Sequence, residues 1–435
     1  MQQSRYNIWV ESGEIYYVFN TLSGRLVRLT VEERQAVDNF VVHGSCESNF
    51  SVLQKLVENR MLIASEQNEL AVLEQRFLSG RNARNTFALT IVTSLGCNYD
   101  CLYCYELKQP SLIGAEVVNS LLELIDKKLP EIESFKVSWL GGEPLLGKSK
   151  LLALSDRFIE RCDRFRVTYA ADLTTNGSLL DEQTCAELRA RRVLSAQVSL
   201  DGPALIHDRR RPLKNGDPTF WKILQNLHHA VNYLNISIRV NVDSDNVSGA
   251  EQLLQILQAE GLENKLSVHL AQVVAVNDGA ATPSSTYRSR CLNSIEFAKV
   301  QLEFVKLASR YGFGDPLLPK PIGTGCTAVR AHELVVGSKG ELYKCWNSIG
   351  NPLEVVGHIS NYQDCNGRLQ KWLKYDPFSD EECRNCVALP VCMGGCARHA
   401  MDPVQHDNRC DTFRHNYRER ILAYIEAQEK KAVSL

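Results

Sequence analysis

From Thr86 onward the chain alternates short apolar runs with amphipathic stretches, and that alternation leaves few folds open. Strand-like runs fall at 88–93, 135–140, 166–174, 194–200, 236–242 and 266–272. Helical patterns lie between them at 115–129, 148–162, 181–191, 220–234 and 248–259. Six such βα units in succession call for parallel strands, since each helix carries the chain back to the start of the next strand. The expected class is α/β, either a barrel or a doubly wound sheet with helices outside. In both, the loops at the carboxyl ends of the strands build the site.

The 435 residues suffice for two or three cores. Residues 1–82 read as a small module of their own, with strands at 6–10, 15–19 and 25–29 and a turn at 20–24. A helix then opens on the capping box Thr30 and Glu33, with Val37 and Phe40 on one face. A second helix at 51–59 and a strand at 61–64 complete a winged-helix-like unit. The formal charge of -2 gives no electrostatic case for nucleic acid, so the basic clusters at 209–211 and 414–420 read as solvated faces. No run of 18 apolar residues suits a membrane span, and the first residues do not form a signal peptide. The 15 cysteines are therefore expected in a reducing cytoplasm, where they serve metal sites more readily than disulfides.

Cys97, Cys101 and Cys104 follow the first strand in a C-x3-C-x2-C spacing. Three close thiols with no nearby fourth ligand make a poor closed zinc site, and suit three corners of a four-iron cluster whose last iron stays open. Gly141-Gly142-Glu143-Pro144 ends the second strand, where glycines let a backbone come close to a ligand. Asn176 and Ser199 sit at the ends of the third and fourth, as hydrogen-bonding groups or turn formers. Arg239 and Asn241 share one face of the fifth by the period of two. A second array follows: Cys326, Cys345, Cys383, Cys386, Cys392, Cys396 and Cys410. Zinc ribbons use similar knuckles, with His332, His358 or His399 available to complete the count.

The triad together with the GGEP string resembles the radical S-adenosylmethionine enzymes, and the later seven cysteines resemble the SPASM domain of members that modify peptides or proteins. The resemblance is dense over 90–145 and 326–410 and weak over the first 80 residues. It implies a partial (β/α)6 TIM barrel at 85–315, between an N-terminal winged-helix-like peptide-binding module at 1–82 and a C-terminal Cys-rich SPASM domain at 316–435. It also implies S-adenosylmethionine and three 4Fe-4S clusters. One would use Cys97, Cys101 and Cys104. An outer auxiliary cluster would use Cys383, Cys386, Cys392 and Cys410, and an inner one Cys326, Cys345 and Cys396, completed by Cys291, by Cys365 or by an open iron. Gly141, Gly142 and Glu143 would face the cofactor's ammonium and Tyr103 its adenine, with Asn176, Ser199, Arg239 and Asn241 as further contacts. Cys46, Cys162 and Cys185 remain as packing residues.

The activity implied is hydrogen abstraction by a 5'-deoxyadenosyl radical from a ribosomally synthesised precursor peptide. The leader would add a strand to an edge of the N-terminal sheet. A thioether or carbon crosslink, epimerisation, and backbone excision of a tyramine-like fragment are all compatible outcomes. The implied partners are that peptide and a reductant such as flavodoxin or ferredoxin, with a separate leader-recognition protein left open. Anaerobic sulfatase maturases, a related alternative, place an Asp after the cysteine matching Cys345. Here the residue is Trp346, which speaks against formylglycine formation and leaves the base unnamed among Asp201, Asp243 and Glu143. A non-enzymatic iron-sulfur or zinc binding module is the remaining alternative, although it needs neither GGEP nor an open triad.

Overall fold

The structure, a computed structural model, describes residues 1–43, 50–276 and 282–433. Cys46, read as a packing residue, lies outside them. Strands β1 (Asn7–Ser12), β2 (Ile15–Asn20) and β3 (Arg25–Leu29) form an antiparallel sheet that leads into α1 (Val31–His43) and α2 (Phe50–Glu58). The capping box at α1 is formed. Thr30 N donates to Glu33 Oε2 at 2.8 Å, and Glu33 N donates to Thr30 Oγ1 at 3.2 Å. A further helix, α3 (Glu69–Arg81), adds to the expected elements; Leu73 and Phe77, four apart, are its buried apolar anchors.

The six expected strands are β4 (Thr86–Val92), β5 (Ser134–Leu140), β6 (Thr168–Thr175), β7 (Val193–Ser199), β8 (Asn235–Val242) and β9 (Leu266–Gln272). All pair in parallel and lie in the sheet in chain order. A doubly wound sheet would reverse its order at a switch point, so the winding is that of a barrel. The barrel is open, because β9 is an edge and β4 pairs with β10 (Glu333–Val336) instead. From β10 the chain continues into β11 (Glu341–Tyr343) and β12 (Gly357–His358), so the segment after residue 315 rejoins the barrel's own sheet.

Helices α4 (Ala115–Lys128), α5 (Lys148–Phe165), α6 (Glu182–Ala190), α7 (Ala204–Arg210), α8 (Phe220–Ala230), α9 (Ala250–Ala259) and α10 (Ser294–Arg310) lie along the βα run. Phe135, Val137 and Trp139 on β5 and Ile236, Ile238 and Val240 on β8 share one core with Leu121, Phe158 and Leu253 of these helices. The opposite face carries Ser138, Asp172, Gln197, Ser237 and Arg239. Strand periodicity thus sorts an apolar outer face from a polar lumen.

The N-terminal sheet is buried on both faces. Val18, Val27 and Leu29 pack with α1 and α2 residues, whereas Ile8, Val10, Tyr17 and Phe19 pack with Ala388, Val391 and the helix α11 (Phe413–Val433). Among the described residues no helix is long and apolar enough to cross a membrane.

Candidate functional site

A cavity of about 530 Å³ opens at the carboxyl ends of the barrel strands. Its walls bring together Cys97, Cys101, Tyr103, Cys104, Gly141, Gly142, Asn176, Ser199, Arg239 and Asn241. These residues span 145 positions of sequence and meet because each follows or ends a parallel strand. Arg239 Nε donates to Asn241 Oδ1 at 2.8 Å, as their shared face requires.

The two glycines of the GGEP string make room for the chain's own cysteine loop. A Cβ on Gly141 would lie 2.3 Å from Ser94 O, and one on Gly142 would lie 2.5 Å from Gly96 O. Gly142 N and Glu143 N donate to those same carbonyls at 3.0 and 2.9 Å. The close backbone approach expected at this position is therefore that of the loop carrying the triad. Glu143 itself is fully buried and does not line the cavity. Its Oε1 accepts from Leu145 N at 3.0 Å and Thr175 Oγ1 at 2.8 Å, and its Oε2 from Asn176 N at 2.8 Å. The carboxylate ties the end of β5 to the end of β6. Asn176, held in this way, donates to Asn98 Oδ1 at 2.8 Å and approaches Cys97 Sγ at 3.9 Å.

Tyr103 anchors the opposite wall. Its hydroxyl bonds to Asp201, receives Arg211 Nη1 at 2.6 Å and receives Asn241 Nδ2 at 3.1 Å. Behind it, Arg210 bridges Asp243 at 2.7 Å and Asp201 at 3.5 Å. Burial pushes the Asp201 carboxyl up, but Arg211 and Arg210 outweigh it and hold the group below its usual range. The reading of 209–211 as a solvated face is thus corrected for two of its three residues. Arg210 and Arg211 are 4% and 7% exposed, because two carboxylates at the ends of neighbouring strands cannot be buried without cations. Asp201 and Asp243, named as base candidates, are both committed to this network. His207 lies beneath it, with Nδ1 accepting from Asp201 N at 3.0 Å; burial and Arg211 lower its pKa to about 3.

Glu106 and Lys108 also line the cavity and were not singled out from the sequence, although they lie two and four residues after Cys104. Lys108 Nζ donates to Tyr99 O at 2.8 Å and stands within electrostatic reach of Cys97, Cys101 and Cys104. Glu106 is buried, its Oε2 has no hydrogen-bond partner, and burial pushes its carboxyl up to about 7. The only sequence signal for either was their position after the triad.

By mutual electrostatic influence the thiols fall into three sets. Cys101 acts on both Cys97 and Cys104. Cys326, Cys345 and Cys396 act on one another. Cys410 acts on Cys383 and Cys386, which in turn act on Cys392. Cys365 donates to Tyr362 O and Cys291 to Tyr287 O. Burial pushes the thiols of Cys97 to about 11 and of Cys104 and Cys345 to about 12, so a bound cation is what would hold them as thiolates. Among the described residues no three His, Cys, Asp or Glu side chains are drawn in around a single ion. Cys97, Cys101 and Cys104, together on one cavity wall, are a donor set that fits three corners of a four-iron cluster. The 414–420 stretch is partly absorbed here as well, since Arg414 Nη1 donates to Cys410 Sγ at 3.0 Å.

Residues 91–256 match the Radical SAM superfamily. The chain is 30% identical over 139 residues to a serine-type anaerobic sulfatase-maturating enzyme of Bacteroides thetaiotaomicron, a match covering 30% of this chain and 33% of that enzyme. It is 22% identical over 349 residues to the cysteine-type enzyme of Clostridium perfringens, covering 75% of this chain and 92% of that one. Among solved structures, anSMEcpe with bound AdoMet and the Kp18Cys peptide aligns with TM-score 0.59 and 20% identity, over 80% of this chain and 100% of that one. Streptococcus suis SuiB bound to precursor peptide SuiA aligns with TM-score 0.53 and 12% identity, over 94% of this chain and 99% of that one. The chain carries a radical SAM domain, and the solved structures share its fold.

Proposed function

We propose that this chain, built around a radical SAM domain, is a peptide maturase that abstracts hydrogen from a ribosomally synthesised precursor peptide. One observation carries the reading: three thiols, the two glycines of the GGEP string and a polar lumen share a single cavity. When bound there, a 4Fe-4S cluster and S-adenosylmethionine would supply the 5'-deoxyadenosyl radical, with two auxiliary clusters available to take up an electron.

The chain's own residues would hold and orient. Cys97, Cys101 and Cys104 would grip three irons, and Lys108 would offset their negative charge. Arg239 and Asn241 would meet the cofactor's polar groups beside Tyr103, with Ser199 between them. Ser138, Asp172, Gln197 and Ser237 line the lumen, where hydrogen bonding to a peptide main chain suits them better than packing against an apolar metabolite. The N-terminal module, 1–82, would take the leader along β1, the outer strand of its sheet. A groove of about 520 Å³ lies there, lined by Trp9, Arg34, Arg418 and Leu422. A reductant of the flavodoxin or ferredoxin kind and a cytoplasmic location follow from the same reading.

A second reading, formylglycine formation, is favoured by the similarity to sulfatase-maturating enzymes over 75% of this chain. Trp346 follows Cys345 and lines the cavity with no carboxylate of its own, which weighs against it. Coexpression with a short peptide encoded next to this chain, followed by mass measurement, tests the proposal. Loss of two hydrogens, a large excision, or an unchanged mass with a D-residue supports it; oxidation of a sulfatase Cys or Ser with no peptide product overturns it in favour of the second reading.

A further inference from the structure

The cysteine loop has two sides. One faces the main cavity, and the other walls a separate groove of about 530 Å³ whose lining includes Cys97, Lys108, Pro110, Leu112, Leu146 and Lys214. Cys97 and Lys108 are the two described residues common to both. Leu112 and Leu146 are 54% and 44% exposed, so apolar surface lies bare beside the loop. Charge on the groove has one sign, since none of its described lining residues is a carboxylate. Lys214 is exposed, and the exposed Lys339 reaches the edge by donating to Gln109 Oε1 at 3.0 Å. Lys108 is partly offset by Asp100 Oδ1 at 3.6 Å, so Lys214 and Lys339 supply most of the positive charge on this rim.

Resting on the function proposed above, we propose that this groove is where a small acidic electron-transfer protein docks to reduce the metal held by the triad. Cys97 stands between groove and lumen, so an occupant of the groove has no atomic access to a substrate in the lumen. An electron can cross that wall, and its far side is a thiol of the triad. The carrier gives up one electron, the metal gains one, and no bond of the carrier breaks. Entry by this side also leaves the main cavity to cofactor and peptide. Bare leucines rimmed by lysines suit a weak contact steered by charge, as redox encounters generally are.

The test is 5'-deoxyadenosine release from anaerobically reconstituted protein given S-adenosylmethionine, with electrons from either reduced flavodoxin or dithionite. Flavodoxin must dock, whereas dithionite is small enough to need no such surface. Lys214→Glu and Leu112→Asp, which reverse the charge and the polarity of the groove, are each expected to lower kcat/KM for flavodoxin by roughly tenfold or more, the scale of lost electrostatic steering. Release driven by dithionite is expected to stay unchanged in both. Added salt should slow the flavodoxin reaction of the wild type more than that of Lys214→Glu. An unchanged flavodoxin reaction in both variants overturns the inference, as does an equal fall with both reductants. Wild-type protein that responds to dithionite but not to flavodoxin overturns the inference alone; wild-type protein that responds to neither overturns the proposed function as well.

Discussion

The loop of Cys97, Cys101 and Cys104 and the segment of Cys383, Cys386, Cys392 and Cys410 hold their thiols by different means. The loop has no regular structure, is pinned through backbone bonds to Gly142 and Glu143, and faces a cavity. The segment is clamped by side chains: Asp380 accepts from Cys383 N at 3.0 Å, and Arg409 bridges Asp380 and Glu382 at 3.1 and 2.8 Å. Ala388 and Val391, beside those cysteines, share a core with β1, β2 and α11, and none of the four thiols lines the main cavity. The first arrangement leaves a metal corner open to a ligand. The second keeps its thiols away from that cavity, in a segment that packs on the N-terminal sheet.

Exchanging the cysteines should separate these roles most sharply. Cys101→Ala is expected to lower 5'-deoxyadenosine release by roughly a thousandfold or more while the protein stays folded. Cys386→Ala is expected to leave release measurable and to expose residues 1–82 to protease, read by timed digestion and mass measurement. Equal loss of nucleoside release in both would erase the distinction.

A smaller effect separates the backbones. Gly142→Ala would force a Cβ to within 2.5 Å of Gly96 O and is expected to destabilise by about 1–3 kcal/mol in denaturant unfolding. Gly367→Ala, in the C-terminal segment, meets nothing within 4 Å and is expected to be close to neutral. A neutral Gly142→Ala would show that the loop is not held against β5.

Much of this was legible in the sequence and some was not. The six strands could be read because their outer faces alternate buried Phe135, Val137 and Trp139 with polar neighbours, a periodicity that survives any loop geometry. The meeting of the triad with the strand ends was legible from its place directly after the first strand. The burial of Arg210 and Arg211 was not, since it depends on Asp201 and Asp243 arriving from two strand ends, a non-local pairing that leaves only a basic string in the sequence. Glu143 had the right motif, yet its partners Thr175 and Asn176 come from the next strand. Glu106 stands out only once its missing partner is visible.

The mildest test of the comparison is pH. His207 beneath the triad side has a pKa lowered to about 3, against about 6.5 when unfolded, so between these values the unfolded chain binds the extra proton. Stability on this account is full above pH ~6.5 and falls as pH drops toward 3. Asp201, also lowered, acts in the same direction at the acid end. His207→Asn should flatten the fall between pH 6.5 and 4 in thermal melts; an unchanged slope would remove His207 from the account.

The most direct measurement is nucleoside release from anaerobically reconstituted protein given S-adenosylmethionine and a strong reductant. Stoichiometric or catalytic 5'-deoxyadenosine from the wild type, absent in Cys101→Ala, is the predicted result. Iron-loaded wild-type protein that leaves S-adenosylmethionine intact would contradict it.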